Sequence, residues 1–229
     1  MFSSRSAIFS EQVVPGKPLG RHIHFDERSK GYRVARSGLP LVSKLWDRQL
    51  PALDQGSLGS CTANGAAGLL ATAPFAKPRW RISEATALRI YRTDTKLDDI
   101  PGQYPPDDTG STVLAAMKAL VQLKYATSYH WCLSLDDALD TLSHVGPLEI
   151  GVRWYEGFDS PDAAGRVRIA GGIRGGHAFE VLGIDVEQKE VIAINSWGSG
   201  WGDNGRFRFS FDDFGSLLAT DGEAATIAQ

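Results

Sequence analysis

The chain changes character at one point, and that change limits its architecture more than any other feature. From Ser60 to His144 the apolar residues recur at helical spacing; after Gly146-Pro147 they fall into short alternating or β-branched runs separated by Gly and Asp. Before the break, CTANGAAGLLATA from Cys61 has the small, apolar composition of a helix buried on most sides. Ser83 reads as the N-cap of EATALRIYR, Ser111 as the start of TVLAAMKALVQL, and Ser134 as the cap of a helix with Asp136 and Asp137 in its first turn. After the break, LEIGVRW, RVRIAGGI, HAFEVLGID, EVIAINSW and GRFRFSF read as strands. Helices followed by strands predict an α+β fold in two segregated halves rather than alternating βαβ units.

Composition narrows the reading further. With 229 residues, 42% hydrophobic and 22% charged, the chain has a globular profile and can build a core without covalent staples. No apolar run approaches the roughly 18 residues of a membrane helix, so no membrane partner is expected. The opening MFSSRSAIFSEQVVPGK has no continuous apolar stretch of the kind a secretory signal needs. The expected location is therefore the cytoplasm or a destination reached by another export route. A formal charge of -3 without a basic stripe argues against nucleic acid as a partner.

Residues 1–38 stand apart. Seven basic side chains against three acidic ones give them a net of +4, leaving -7 for residues 39–229. Pro15, Gly16, Pro18 and Gly20 argue against a helix or strand before Arg21. A basic extension can dock on an acidic body; a mobile tail is the plainer alternative. His22 and His24 fall on one face of a possible strand, an arrangement that also admits a metal ion, although no metal or cofactor is expected elsewhere.

Only two cysteines are present, Cys61 and Cys132, which excludes a disulfide scaffold and a cysteine-rich metal site. Cys61 opens a helix directly after DQGSLGS. Unpaired N–H groups and the positive end of the helix dipole there favour thiolate, although a buried structural cysteine fits the same position. His177 lies in GGHAFEVLGID at the start of a strand, where a packed core histidine is the ordinary alternative. An imidazole is also what a cysteine nucleophile needs, as proton acceptor and then donor. Asn195, in NSWGSGWGDNGRFRF, can fix the tautomer of that ring, and Trp197 can shield the bond from water. Gln55 can aim an amide N–H at the point of attack and complete an oxyanion hole with the Cys61 N–H.

DQGSLGSC, GGHAFEVLGID and NSWGSGWGDNGRFRF resemble the cysteine, histidine and asparagine blocks of the papain-like cysteine peptidases, in the family's order, and the similarity runs from about Leu39-Pro40. His177 follows Cys61 by 116 residues and Asn195 by 134, a compact version of the family's usual 130–150 or so that suggests its short bacterial members. The resemblance implies a two-lobed fold: a helical lobe at about 50–133, a barrel-like antiparallel lobe at about 134–229, and a cleft between them. It implies a peptidase with Cys61 as nucleophile, His177 as base and acid, Asn195 as orienting group and Gln55 as oxyanion donor. An acyl transferase using the same thioester, or a non-enzymatic module of the same fold, are the alternatives.

By the same resemblance Asp108, Thr109, Gly110 and Ser111 form the segment that holds an extended peptide. Gly151, Gly175, Gly176 and Ala178 border the pocket for the second residue before the cleaved bond, a pocket expected to be apolar. Trp197 closes the site. Family zymogens carry a prosegment running backward through the cleft, which implies that residues 1–38, around His22 to Tyr32, block it and that deleting them raises turnover. The partners expected are a peptide substrate and this segment, in a monomer. The sequence departs from the family at Leu58, where relatives carry a structural cysteine, and at Thr62, where they carry Trp. Cys132 matches nothing catalytic and is expected to be a packed thiol.

Overall fold

A computed structural model describes residues 6–7, 17–24 and 26–229. Its backbone runs β1 (Ser6–Ala7), β2 (Arg21–His24), β3 (Lys44–Leu45), α1 (Cys61–Ala71), α2 (Glu84–Asp94), β4 (Ser111–Thr112), α3 (Val113–Gln122) and β5 (Ser128–Trp131). It continues through α4 (Leu135–His144), β6 (Leu148–Tyr155), β7 (Ile173–Asp185), β8 (Glu190–Ile194), β9 (Arg206–Ser210), α5 (Phe211–Thr220) and β10 (Glu223–Ala228). The α+β reading holds.

Every residue of α1 is buried, which explains its composition. Gly65 and Gly68 let two carboxylates reach the helix surface: a Cβ on Gly65 would lie 3.2 Å from the Glu149 side chain, and one on Gly68 only 2.4 Å from Glu180 Oε2. Glu180 is neutralised there by a buried ion pair with Arg48. The caps of α4 and α5 are Ser134 and Ser210, whose hydroxyls accept from Asp137 N and Asp213 N. For α3 the cap is Thr112, accepting from Ala115 N, and not Ser111, whose hydroxyl donates to Asp98 instead.

β5-β10-β6-β7-β8-β9 form one antiparallel sheet, joined by β3 against the far end of β7; β1-β2-β4 form a second, small sheet. RVRIAGGI is not a strand. Gly165 just before it and Gly171 within it, at φ +75° and +73°, turn the chain; Arg166 bridges to Arg208, and only its last residue, Ile173, enters a strand as the start of β7. Ser6–Ala7 form a short strand on β2, ahead of the point where the first one was expected.

Two cores flank α1 and β7. One gathers Leu69, Leu70, Ile90, Tyr91, Met117 and Leu120 from the helices. The other gathers Trp154, Phe179, Trp197, Phe207, Phe209 and Phe214 from the sheet and α5. Residues 33–37 belong structurally to this second half. Val34 is buried in it, Arg33 and Arg36 both bind the Asp137 carboxylate of α4, and Ser37 binds Asp140.

Candidate active site

Cys61 is the first residue of α1 and His177 lies in β7, the two elements packed face to face between the cores. The Cys61 thiol receives backbone hydrogen bonds from Ala178, which follows His177, and from Gly20 and Thr62. It is fully buried, and burial pushes its pKa up to about 12 against those bonds.

His177 Nε2 and Asn195 Oδ1 lie 2.8 Å apart in a buried hydrogen bond, and Nδ1 has no partner among the described residues. Asn195 Oδ1 also accepts from Ser196 N at 2.8 Å, so the amide presents oxygen to the ring and the ring must donate. Trp197 lies over the imidazole with centroids 5.0 Å apart, and Trp154 meets it edge-on at 4.8 Å. This apolar casing pulls the imidazole pKa down to about 4, with the Asn195 bond as the smaller, opposing influence. Thiol and imidazole are therefore both neutral in this state.

Gln55 is locked from three sides. Its N–H donates to Ser196 O at 2.9 Å, its side-chain oxygen accepts from Ser196 Oγ at 2.6 Å, and its amide donates to Leu58 O at 2.8 Å. The same amide reaches Pro18 O at 3.3 Å, a peptide carbonyl supplied by the N-terminal segment.

That segment fills the groove. Lys17 Nζ donates to Trp197 O at 3.3 Å, Gly20 N to Gly176 O at 3.2 Å, and Ser111 N to Gly20 O at 2.9 Å. Arg21 and His22 then pair in parallel with Ser111 and Thr112 of β4, and His22 Nε2 meets Thr109 O at 2.8 Å. Residues 17–24 thus make the crossing. The stretch His22 to Tyr32 was expected to do so, but its later part, Glu27–Tyr32, coils into a 3₁₀ helix that contacts β5. His22 and His24 take separate partners, Thr109 O and Asp99, and among the described residues no group of three potential ligands is placed to hold a metal.

The other singled-out positions surround the same groove. Gly110 touches the segment so closely that a Cβ there would sit 2.3 Å from Gly20 O. Asp108 stands one layer back, accepting from Gly59 N and Tyr91 Oη. Gly175 (φ +154°) and Gly176 precede His177 in β7. Gly151 borders a pocket, but the pocket is not apolar. It holds the fully buried Arg21 side chain, and at its floor stands Glu223, the ladder partner of Gly151, 2.7 Å from Arg21 Nη2. Sequence reasoning missed Glu223 because EAATIA carries no motif, and nothing in the string couples positions 202 apart. Cys132 is a buried free thiol near Thr141, 3.5 Å from its hydroxyl.

No protein-family model matches the chain. Among curated proteins it is 24% identical over 205 residues to an uncharacterized peptidase C1-like protein of Acanthamoeba polyphaga mimivirus, covering 71% of this chain and 65% of that protein. It is 30% identical over 131 residues to the cathepsin B-like CP2 of Giardia intestinalis, covering 52% of this chain and 44% of the relative. The chain thus spans less than two thirds of either relative. Among solved structures it superposes on xylellain, a cysteine protease from Xylella fastidiosa, with a TM-score of 0.73 at 18% identity, covering 100% and 99% of the two chains. A procathepsin B from Trypanosoma congolense gives 0.65 at 13% identity, covering 92% of this chain and 86% of that one. These structural likenesses fix the fold, and the sequence matches run to the same group of enzymes. The chain thus has the papain-like fold and is similar in sequence to C1-like and cathepsin B-like cysteine peptidases.

Proposed function

We propose that the chain is a cysteine endopeptidase whose cleft is closed, in the state described, by its own residues 17–24. The observation that carries the reading is the buried His177–Asn195 hydrogen bond. It fixes an imidazole with one nitrogen free on the strand that packs against the Cys61 thiol. A ring held this way is set up to exchange a proton rather than to fill space.

In the reaction that follows from this arrangement, the segment leaves and an extended peptide takes its place. His177 takes the Cys61 proton, and the sulfur adds to the carbonyl carbon. The oxygen then carries the negative charge toward the Gln55 amide and the Cys61 N–H. Collapse of that adduct breaks the C–N bond; His177 gives its proton to the departing amine, leaving a thioester on Cys61. Water, deprotonated by the same ring, hydrolyses the thioester and restores the thiol. Asn195 holds the ring through both transfers, and Trp197 and Trp154 keep bulk water from the bond that orients it.

Incubation with a fluorogenic peptide and an epoxide thiol inhibitor tests the assignment. Label is expected on Cys61 by peptide mapping, with Cys61→Ala abolishing both labelling and cleavage. Label on Cys132, or a chain that binds peptides without cleaving them, would overturn it. Deletion through residue 24 is expected to raise turnover. A cut at residue 38 would also strip Val34, Arg33 and Arg36 from the body.

A further inference from the structure

Three buried polar atoms with no part in the chemistry above belong to side chains that line one small cavity. Asn195 Nδ2, Asn64 Oδ1 and Glu180 Oε1 have no hydrogen-bond partner among the described residues, and all three residues are buried. The cavity measures about 10 Å³, the room one water molecule needs, and Leu53, Phe179 and Ile194 wall much of the rest. Its polar groups come from three places: Asn64 from α1, Glu180 from β7, and Asn195 from the turn after β8. Their other contacts decide what each can offer. Asn195 Oδ1 is engaged by His177 and by Ser196 N, which leaves the amide nitrogen for the cavity. Asn64 gives its nitrogen to Ser60 O at 2.9 Å and Ser60 Oγ at 3.1 Å, which leaves its oxygen. Glu180 pairs with Arg48 through Oε2, and Oε1 remains as a second acceptor.

One donor and two acceptors around a space of this size match a single water, which has two hydrogens to give and lone pairs to receive one. We propose that the cavity is a structural water site. The water accepts from Asn195 Nδ2 and donates to Asn64 Oδ1 and Glu180 Oε1, so that Asn64 and Glu180 act through it as positioning residues for Asn195. Three bonds are the usual complement of a buried water, and they leave none of the three atoms unpaired. The site removes one freedom that the direct contacts leave open. His177 and Ser196 N hold the Asn195 amide only at its oxygen; a hold at the nitrogen stops it pivoting there. Turned over, the amide would add a third acceptor around a water with two hydrogens, and would face the ring's donating nitrogen with another donor. The water also ties Asn195 to α1, the helix that opens with Cys61, so nucleophile and orienting group share one support. For its catalytic consequence the inference rests on the peptidase reading; the water site itself does not.

Two measurements on the full chain test it. A high-resolution crystal structure is expected to show one water within about 2.7–3.2 Å of all three atoms. Asn64→Leu removes one acceptor at similar volume. By heteronuclear NMR it should speed exchange of the His177 Nε2 proton with solvent about tenfold, the effect of one lost hydrogen bond. A merely structural loss in α1 would not single out that proton. A kinetic arm uses the Gly20→Ala chain, in which a Cβ 2.0 Å from Gly59 O lifts the segment from the cleft. There Asn64→Leu should lower the limiting rate of Cys61 labelling by an epoxide about 5–10-fold, with the half-saturating concentration unchanged. A cavity without water, a water that misses Asn195, or Nε2 exchange indifferent to Asn64→Leu would overturn the inference. The crystal result decides alone if Asn64→Leu folds poorly. Failure of Cys61 to label in every background would remove the peptidase reading and leave the water site standing.

Discussion

At the scale of single residues, the candidate site is held in a resting protonation state by what covers it. The imidazole of His177 has a pKa near 4 where a free ring has about 6.5, and burial is the dominant cause. The sign follows directly. Between those two values an exposed ring binds a proton that the covered ring refuses, so lowering the pH through that window favours any state in which His177 meets water. Above about 6.5 both forms are neutral and the effect vanishes. Heteronuclear NMR of the full chain at pH 5.5 should find the His177 imidazole neutral, with the Nε2 proton retained. A charged ring at that pH would contradict the buried geometry. The thiol responds in the same sense: once Gly20 no longer covers it, the burial that holds Cys61 near 12 is relieved and the helix N-terminus can stabilise thiolate.

At the scale of elements, local signals were readable and remote ones were not. Ser83, Ser134 and the helical spacing of Leu114 and Met117 marked their helices because caps and stripes are decided within a few residues. The candidates Cys61, Gln55, His177 and Asn195 stood out because each sits in a short glycine-rich block, with aromatics beside His177 and Asn195. β4, β5 and β10 were not, since each is six residues or shorter and takes its pairing from a strand far along the chain; β2 was legible only as the possible strand that carries His22 and His24. RVRIAGGI alternates as a strand should, yet turns at Gly165 and Gly171 break it, leaving one bridge at Arg166 and only Ile173 to enter β7.

The N-terminus of α4 shows what remote pairing adds. Burial pushes the Asp137 carboxyl pKa up, but hydrogen bonds from Arg33, Arg36 and Leu133 N outweigh it and hold it at about 2. A depressed carboxylate stabilises the fold above its ordinary pKa of about 4, and that stability is lost as the pH falls from there towards 2. Asp137→Asn should therefore lower the urea-unfolding free energy at pH 7 by about 1–2 kcal/mol, a modest figure because both arginines are half in water. The deficit should shrink below pH 4. A pH-independent deficit would assign the loss to packing instead.

For the whole molecule, the two lobes, the cleft and the covering segment form one closed circuit. Gly20 is its tightest point. A Cβ there would lie 2.0 Å from Gly59 O, a clash with backbone that no side-chain shift relieves. Gly20→Ala should therefore expel the segment while leaving every proposed catalytic group in place. Epoxide labelling of Cys61 is expected to accelerate at least tenfold, with an unchanged far-UV spectrum. Labelling at the parental rate in a folded variant would mean that residues 17–24 do not guard the thiol.

The Arg21–Glu223 pair also bears on the order in which the protein is made. The carboxylate that holds the cover lies in β10, and that strand closes the sheet between β5 and β6. On the ribosome Arg21 emerges some two hundred residues before its partner. A nascent chain that already contains Cys61 and His177 can lay the segment against Gly176 and β4 but still lacks the carboxylate that pairs with its arginine. The pocket floor and this last anchor arrive together, with one strand.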